Sequence, residues 1–156
     1  MSILPPYKFI QRGNKYIFQT DNLVAYNVEF TDGSYYFFNL PVHIPVFEFS
    51  VNVLNAVNTF IQPYDERIEV TIVHILSAFF EDNKNSIIYV CDNLDNRQQA
   101  RFRKFHSWFK KNKTDSLEKY DVIFNALEMQ ILASLIVHAQ NPDKDLLVSL
   151  FLDLYK

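Results

Sequence analysis

The chain is poor in glycine: among its 156 residues there are two, Gly13 and Gly33. A G-x-G-x-x-G dinucleotide loop, a P-loop and a G-x-S-x-G nucleophile elbow each set at least two glycines close together, so all three are excluded. Cysteine is scarcer still. The single Cys91 rules out an intramolecular disulfide and any zinc site built on Cys-x-x-Cys. The histidines His43, His74, His106 and His138 never stand four apart, and neither H-E-x-x-H nor H-x-E occurs. We therefore expect no metal and no cofactor. Long apolar runs are missing too. Uncharged stretches such as 33–47 and 70–80 fall short of the ~20 residues a membrane-spanning helix needs. No charged-then-apolar leader pattern precedes Pro5 and Pro6. With one unpaired thiol, these absences predict a soluble protein of the reducing cytoplasm.

What is present is apolar and aromatic. Hydrophobic residues form 49% and aromatics 16% of the sequence, against 15 basic and 18 acidic side chains. That balance builds a core and is too weakly charged for a disordered chain. The length suits one domain over residues 1–156. The first third alternates at strand period. Residues 7–10 and 16–19 flank a Gly13-Asn14 turn, and residues 23–30 and 35–40 flank Asp32-Gly33, a strong hairpin signal. Residues 46–53 put Phe47, Phe49, Val51 and Val53 on one face. Together they predict a five-stranded antiparallel meander, with both glycines explained by turns. The consecutive rings of Tyr35, Tyr36, Phe37 and Phe38 would load both faces of a strand, one of them covered by a helix or by a second copy of the chain.

The period then changes. Ile68, Ile72, Ile75, Leu76, Phe79 and Phe80 recur at helical spacing after Asp65, a plausible N-cap. Residues 86–91 (SIIYVC) read as a buried central strand, 97–112 as a helix, and 120–124 and 129–137 as strands. Asn141-Pro142 signals the start of a last helix with Leu147, Leu150 and Phe151 on its apolar face. The expectation is an α+β fold, a meander followed by α-β-α-β-β-α, with a mixed or mostly antiparallel sheet.

Charge is distributed unevenly. Residues 97–113 hold seven bases and no acid, leaving eight bases against all 18 acids elsewhere, a net of −10. At about 100° per residue, Arg97, Arg101, Lys104, Trp108 and Lys111 share one helical stripe, and Phe102, Phe105 and Phe109 share another. A tryptophan among cations suits contact with an anionic partner, either an acidic protein or nucleic acid. The structural alternative is a cation–indole stack at the core edge, or attraction to the acidic body. Asp92 and Asp95, in the turn before this helix, fit either a ligand or Mg²⁺ contact at a strand end or, more simply, a helix cap with Asp92 paired to Arg97 or Arg101. His106 lies near the apolar side of the same helix, and His138 sits near a strand end as a hydrogen-bonded structural residue. Cys91 reads as a small core residue. The candidate binding residues are Asp92, Asp95, Arg97, Arg101, Arg103, Lys104, Trp108 and Lys111. No catalytic residue is assigned.

The run Cys91-Asp92-x-x-Asp95-x-Arg97-Gln98-x-x-Arg101-x-Arg103-x-Phe105-x-x-Trp108-Phe109 resembles the central motif of an uncharacterised bacterial family of unknown function. The opening Tyr7-x-Phe9 and Tyr16-x-Phe18 and the late Ser134-Leu135-Ile136-x-His138-x-x-Asn141-Pro142 are similar too. The resemblance implies a single bacterial domain and supplies no catalytic residues. In element order the chain is also similar to the GNAT acetyltransferases, in which a glycine-rich loop at a helix start holds the coenzyme A pyrophosphate. Here that place reads Gln62-Pro63-Tyr64-Asp65-Glu66-Arg67, without glycine and with two acids. Two functions follow as expectations. The first is a non-catalytic cytoplasmic binding protein whose basic-aromatic helix meets an anionic partner. The alternative is a divergent GNAT-like acyltransferase or a metal-dependent nucleotide-processing enzyme using Asp92 and Asp95.

Overall fold

Residues 4–37, 39–55, 65–91, 98–112, 115–126 and 129–154 are described by the computed structural model. Strands β1 (Phe9–Arg12) and β2 (Lys15–Gln19) pair antiparallel across Gly13, whose φ of +61° is the left-handed conformation this turn requires. Strand β3 (Ala25–Asp32) lies beside β2, and β4 (Phe47–Val53) beside β3, with Phe30 opposite Phe49. Alternation buries Tyr16, Phe18, Val28, Phe30 and Phe49 on one face, as period-2 patterning demands.

The expected strand at 35–40 is not one, so the meander has four strands rather than five; residue 38 lies outside the described residues. Ser34–Tyr36 form a 3-10 turn instead. The Asp32 carboxylate accepts from the Ser34 amide and hydroxyl, both at 3.0 Å, and this local side-chain bonding wins over the two-residue hairpin. The Tyr35 and Tyr36 hydroxyls then donate to the Glu48 carboxylate at 2.5 and 2.9 Å. Gly33 has a φ of −108°, which any residue adopts. Its role is close approach: its amide donates to Val46 O at 2.8 Å, and a Cβ would stand 2.9 Å from Glu48 N.

Helix α1 (Glu66–Phe79) starts where expected, with the Asp65 carboxylate accepting from the Arg67 amide at 3.0 Å. It carries the chain over to β5 (Ser86–Cys91), which pairs parallel to β4, a geometry that requires such a crossover. Then follow α2 (Gln98–Asn112), β6 (Leu117–Ala126), β7 (Met129–His138) and α3 (Lys144–Asp153). The seven strands form one sheet in the order β1-β2-β3-β4-β5-β7-β6, antiparallel apart from β4–β5. The α+β expectation holds, and the largely apolar β5 is central as its composition indicated. Helix α3 begins later than Asn141-Pro142 implied. Asn141 Oδ1 accepts from the Asp143 amide at 2.8 Å, so this dipeptide builds a turn ahead of the helix.

Helices α1 and α2 cover one face of the sheet. Ile72, Ile75 and Phe105 pack there against Phe30, Phe49, Ile87 and Ile136. On the opposite face Leu147 and Phe151 of α3 meet Ile88, Ala133, Leu135 and Val137. Both layers are continuous because alternate residues of β5 and β7 point to opposite sides.

Candidate functional site

Helix α2 sorts its side chains by direction. Phe105 is 4% exposed and stands between Phe49 and Tyr89, with ring centroids at 5.6 and 4.3 Å. Phe102 and Phe109 are half-buried beside it, so the expected apolar stripe forms. Trp108 does not stand apart from that stripe as the helical wheel implied. It too is half-buried and packs on the same core cluster. The reason is geometric: α2 meets both the sheet and α1, so it buries a wider arc than its sheet-facing stripe.

The cations divide in the same way. Lys104 Nζ stands 5.2 Å from the Trp108 ring centroid, within cation–π reach. Lys111 turns toward α1, with Nζ 3.0 Å from Glu66 Oε1 and 3.5 Å from Glu69 Oε2. The hydrogen bond to Glu66 first, and then the charges of the two carboxylates, hold the Lys111 pKa above that of an ordinary lysine. The Glu69 side chain is only 4% exposed and takes a second donor, Asn112 Nδ2, at 3.2 Å. Arg103, Lys104 and Lys110 are exposed and make no ion pair among the described residues. Arg101 lies on α2 one turn before Phe105. Asp92, Asp95 and Arg97 lie outside the described residues.

Between α1 and α2 the fold leaves a cleft of about 300 Å³. Ile72 and Leu76 of α1 and Phe80 just after it wall one side, and Phe105, Trp108 and Phe109 of α2 the other. One end is closed by Leu117 and His138, which the β6–β7 register sets opposite each other. His138 Nδ1 accepts from the Gln140 amide at 3.0 Å, so the neutral ring carries its proton on Nε2. Ser77, Glu81 and Asn112 add polar groups to the lining.

A second polar group lies beneath α2. Lys119 Nζ reaches His106 Nδ1 at 3.0 Å and also donates to Asp121 Oδ1. Ser134 Oγ donates to the same carboxylate at 2.6 Å from the strand position directly opposite. The Lys119 side chain is 4% exposed and lies 5.2 Å from the Phe102 ring. The sequence pairs none of these with His106, because Lys119 falls before the strand expected at 120–124. β6 in fact begins at Leu117, and the alternation of Lys119 and Asp121 was the available signal.

At the start of α1, where a GNAT-type grip on pyrophosphate would fall, Asp65 occupies the cap and Glu66 and Glu69 follow in the first turn. These carboxylates oppose a polyanion. Among the described residues no group of three His, Cys, Asp or Glu side chains is placed to hold a metal ion, and no helix is long and apolar enough to cross a membrane.

A family model described as a family of unknown function, DUF6169, matches residues 64–153. That stretch includes all of α1, α2 and α3, and every residue named above as lining the cleft. No curated protein and no solved structure matches the chain.

Proposed function

The chain belongs to DUF6169, a family of unknown function, and we propose for it a non-catalytic binding role in which α2 docks on an acidic protein surface. The observation that carries this reading is the set of exposed cations Arg103, Lys104 and Lys110 on one helix, free of ion pairs among the described residues. The rest of the chain is strongly acidic, so like charge spread over the molecule does not explain them. Such a local patch steers an oppositely charged surface into register. Arg97 and Arg101, and with them Asp92 and Asp95, join the proposal on sequence grounds alone. Lys111 has a smaller part, since Glu66 and Glu69 already neutralise it.

An acidic protein fits better than nucleic acid. Trp108 is engaged by the core and by Lys104, which leaves its ring poorly placed to stack on a base. A cytoplasmic setting belongs to the same proposal and suits a chain whose single cysteine, Cys91, is buried.

The test is titration of a dye-labelled polyglutamate peptide with the protein, followed by fluorescence anisotropy. Saturable binding is expected that weakens with added salt and falls at least about tenfold in the Arg103→Glu, Lys104→Glu double variant. Equal binding by that variant overturns the proposal. Tighter binding of a labelled single-stranded oligonucleotide than of the peptide replaces the acidic protein with nucleic acid.

A further inference from the structure

We infer that the α1–α2 cleft is a binding site for a small organic cation, an ammonium group carried on an aromatic or aliphatic body. This inference does not depend on the docking role proposed for the outward cations of α2. Its volume of about 300 Å³ lies at the small end of ligand cavities, the size of a molecule of about ten to fifteen non-hydrogen atoms. Four aromatic rings, Phe80, Phe105, Trp108 and Phe109, contribute to its walls. Aromatic faces carry negative quadrupole density and attract alkylammonium groups.

The charge of the lining points the same way. Among the described residues Glu81 is its one carboxylate, and no lysine or arginine lines the cleft. The Glu81 side chain makes no hydrogen bond or ion pair among the described residues. It lies just beyond the carboxyl-terminal end of α1, whose last turn holds no basic residue. The negative end of the helix dipole and an uncompensated carboxylate therefore coincide there. An acidic ligand would meet repulsion at that point, whereas an ammonium group would supply the missing counter-charge.

The cleft also has a direction. The lining runs from Ile72 on α1 to Glu81 just past its end. Lys104 stands over the Trp108 ring and discourages a second cation at the indole. The ligand accordingly places its ammonium at Glu81 and its apolar body among Leu76, Phe105 and Trp108.

Trp108 is the only tryptophan in the chain, so intrinsic fluorescence reports on the cleft directly. Three probes of matched shape separate charge from size: phenylpropylammonium, phenylbutyrate and phenylbutanol. We expect a saturable emission change with phenylpropylammonium, at a dissociation constant at least about tenfold below those of the other two. The Glu81→Gln variant, an exposed substitution whose fold is checked by circular dichroism, should bring the ammonium probe to the affinity of the alcohol. The inference is overturned if phenylbutyrate or phenylbutanol binds as tightly as the ammonium probe. It is equally overturned if Glu81→Gln keeps the preference, or if phenylpropylammonium gives no saturable change in the wild type.

Discussion

Gly13 and Gly33 occupy turns that look alike in the sequence and differ in what they require of the residue. Gly13 has a φ of +61°, and a Cβ there would meet nothing within 4 Å, so its demand is purely conformational. Gly33 has ordinary backbone angles, but a Cβ would lie 2.9 Å from Glu48 N and 3.0 Å from Phe47 C, both main-chain atoms that move only with their strand. Gly13→Ala should cost about 1 kcal/mol, the left-handed penalty of an L-residue. Gly33→Ala should cost more, about 1–3 kcal/mol, because β4 has to shift. Urea denaturation of the two variants measures the difference, and an equal loss would refute the close-approach account. Gly13-Asn14 is recognisable locally as a turn. The contact of Gly33 with a strand some fifteen residues later in the chain is not.

Helix α2 and the β6–β7 pair meet through a polar group that neither element reveals alone. Lys119 is almost fully enclosed, and its charge is balanced by Asp121, which Ser134 also holds. Replacing Asp121 with Asn keeps the shape but leaves the ammonium beside His106 and the Phe102 ring without a counter-ion. A loss of about 1–3 kcal/mol in unfolding free energy is expected, moderated because Asp121 is one-third exposed. Adding Lys119→Met should restore part of it, since a buried pair removed together does less harm than one partner removed alone. Additive losses in this double-mutant cycle would show that the two side chains are not coupled. The same reasoning explains why the helical wheel misplaced Trp108: it counts positions on one helix and ignores α1 on the flank.

Across the molecule, burial of tyrosine sets the response to alkali. Desolvation is the leading cause that raises the pKa of Tyr7, Tyr26, Tyr35, Tyr36 and Tyr120, with further contributions from carboxylate partners such as Asp65 at Tyr7 and Glu48 at Tyr36. Tyr36 is raised the most, its burial reinforced by hydrogen bonds with Tyr35 and Glu48. A folded-state pKa above the unfolded one means that the protonated phenol is favoured by folding. The stabilisation is thus complete below about pH 10 and is lost as pH rises through the folded values. Lys111 and Lys144, raised by their bonds to Glu66 and Glu118, lose theirs in the same direction. Urea midpoints should fall steeply above about pH 10, with phenolate absorbance rising together with unfolding. Tyr36→Phe should flatten that slope. An unchanged slope would remove Tyr36 from the account.

The order of elements from α1 onward, the central position of β5, the Asp65 cap and the apolar stripe of Phe102, Phe105 and Phe109 were all readable from residue order. Each follows from a period or a cap that acts within a few positions of itself. The uneven charge was readable too, since counting needs no coordinates. The conversion of 35–40 from strand to turn, the capture of Lys111 by Glu66 and Glu69, and the closure of a cleft by Leu117 and His138 were not. Each depends on groups far apart in the chain whose meeting is set by strand register and helix placement. Contacts of that kind leave no periodic trace in the amino-acid order.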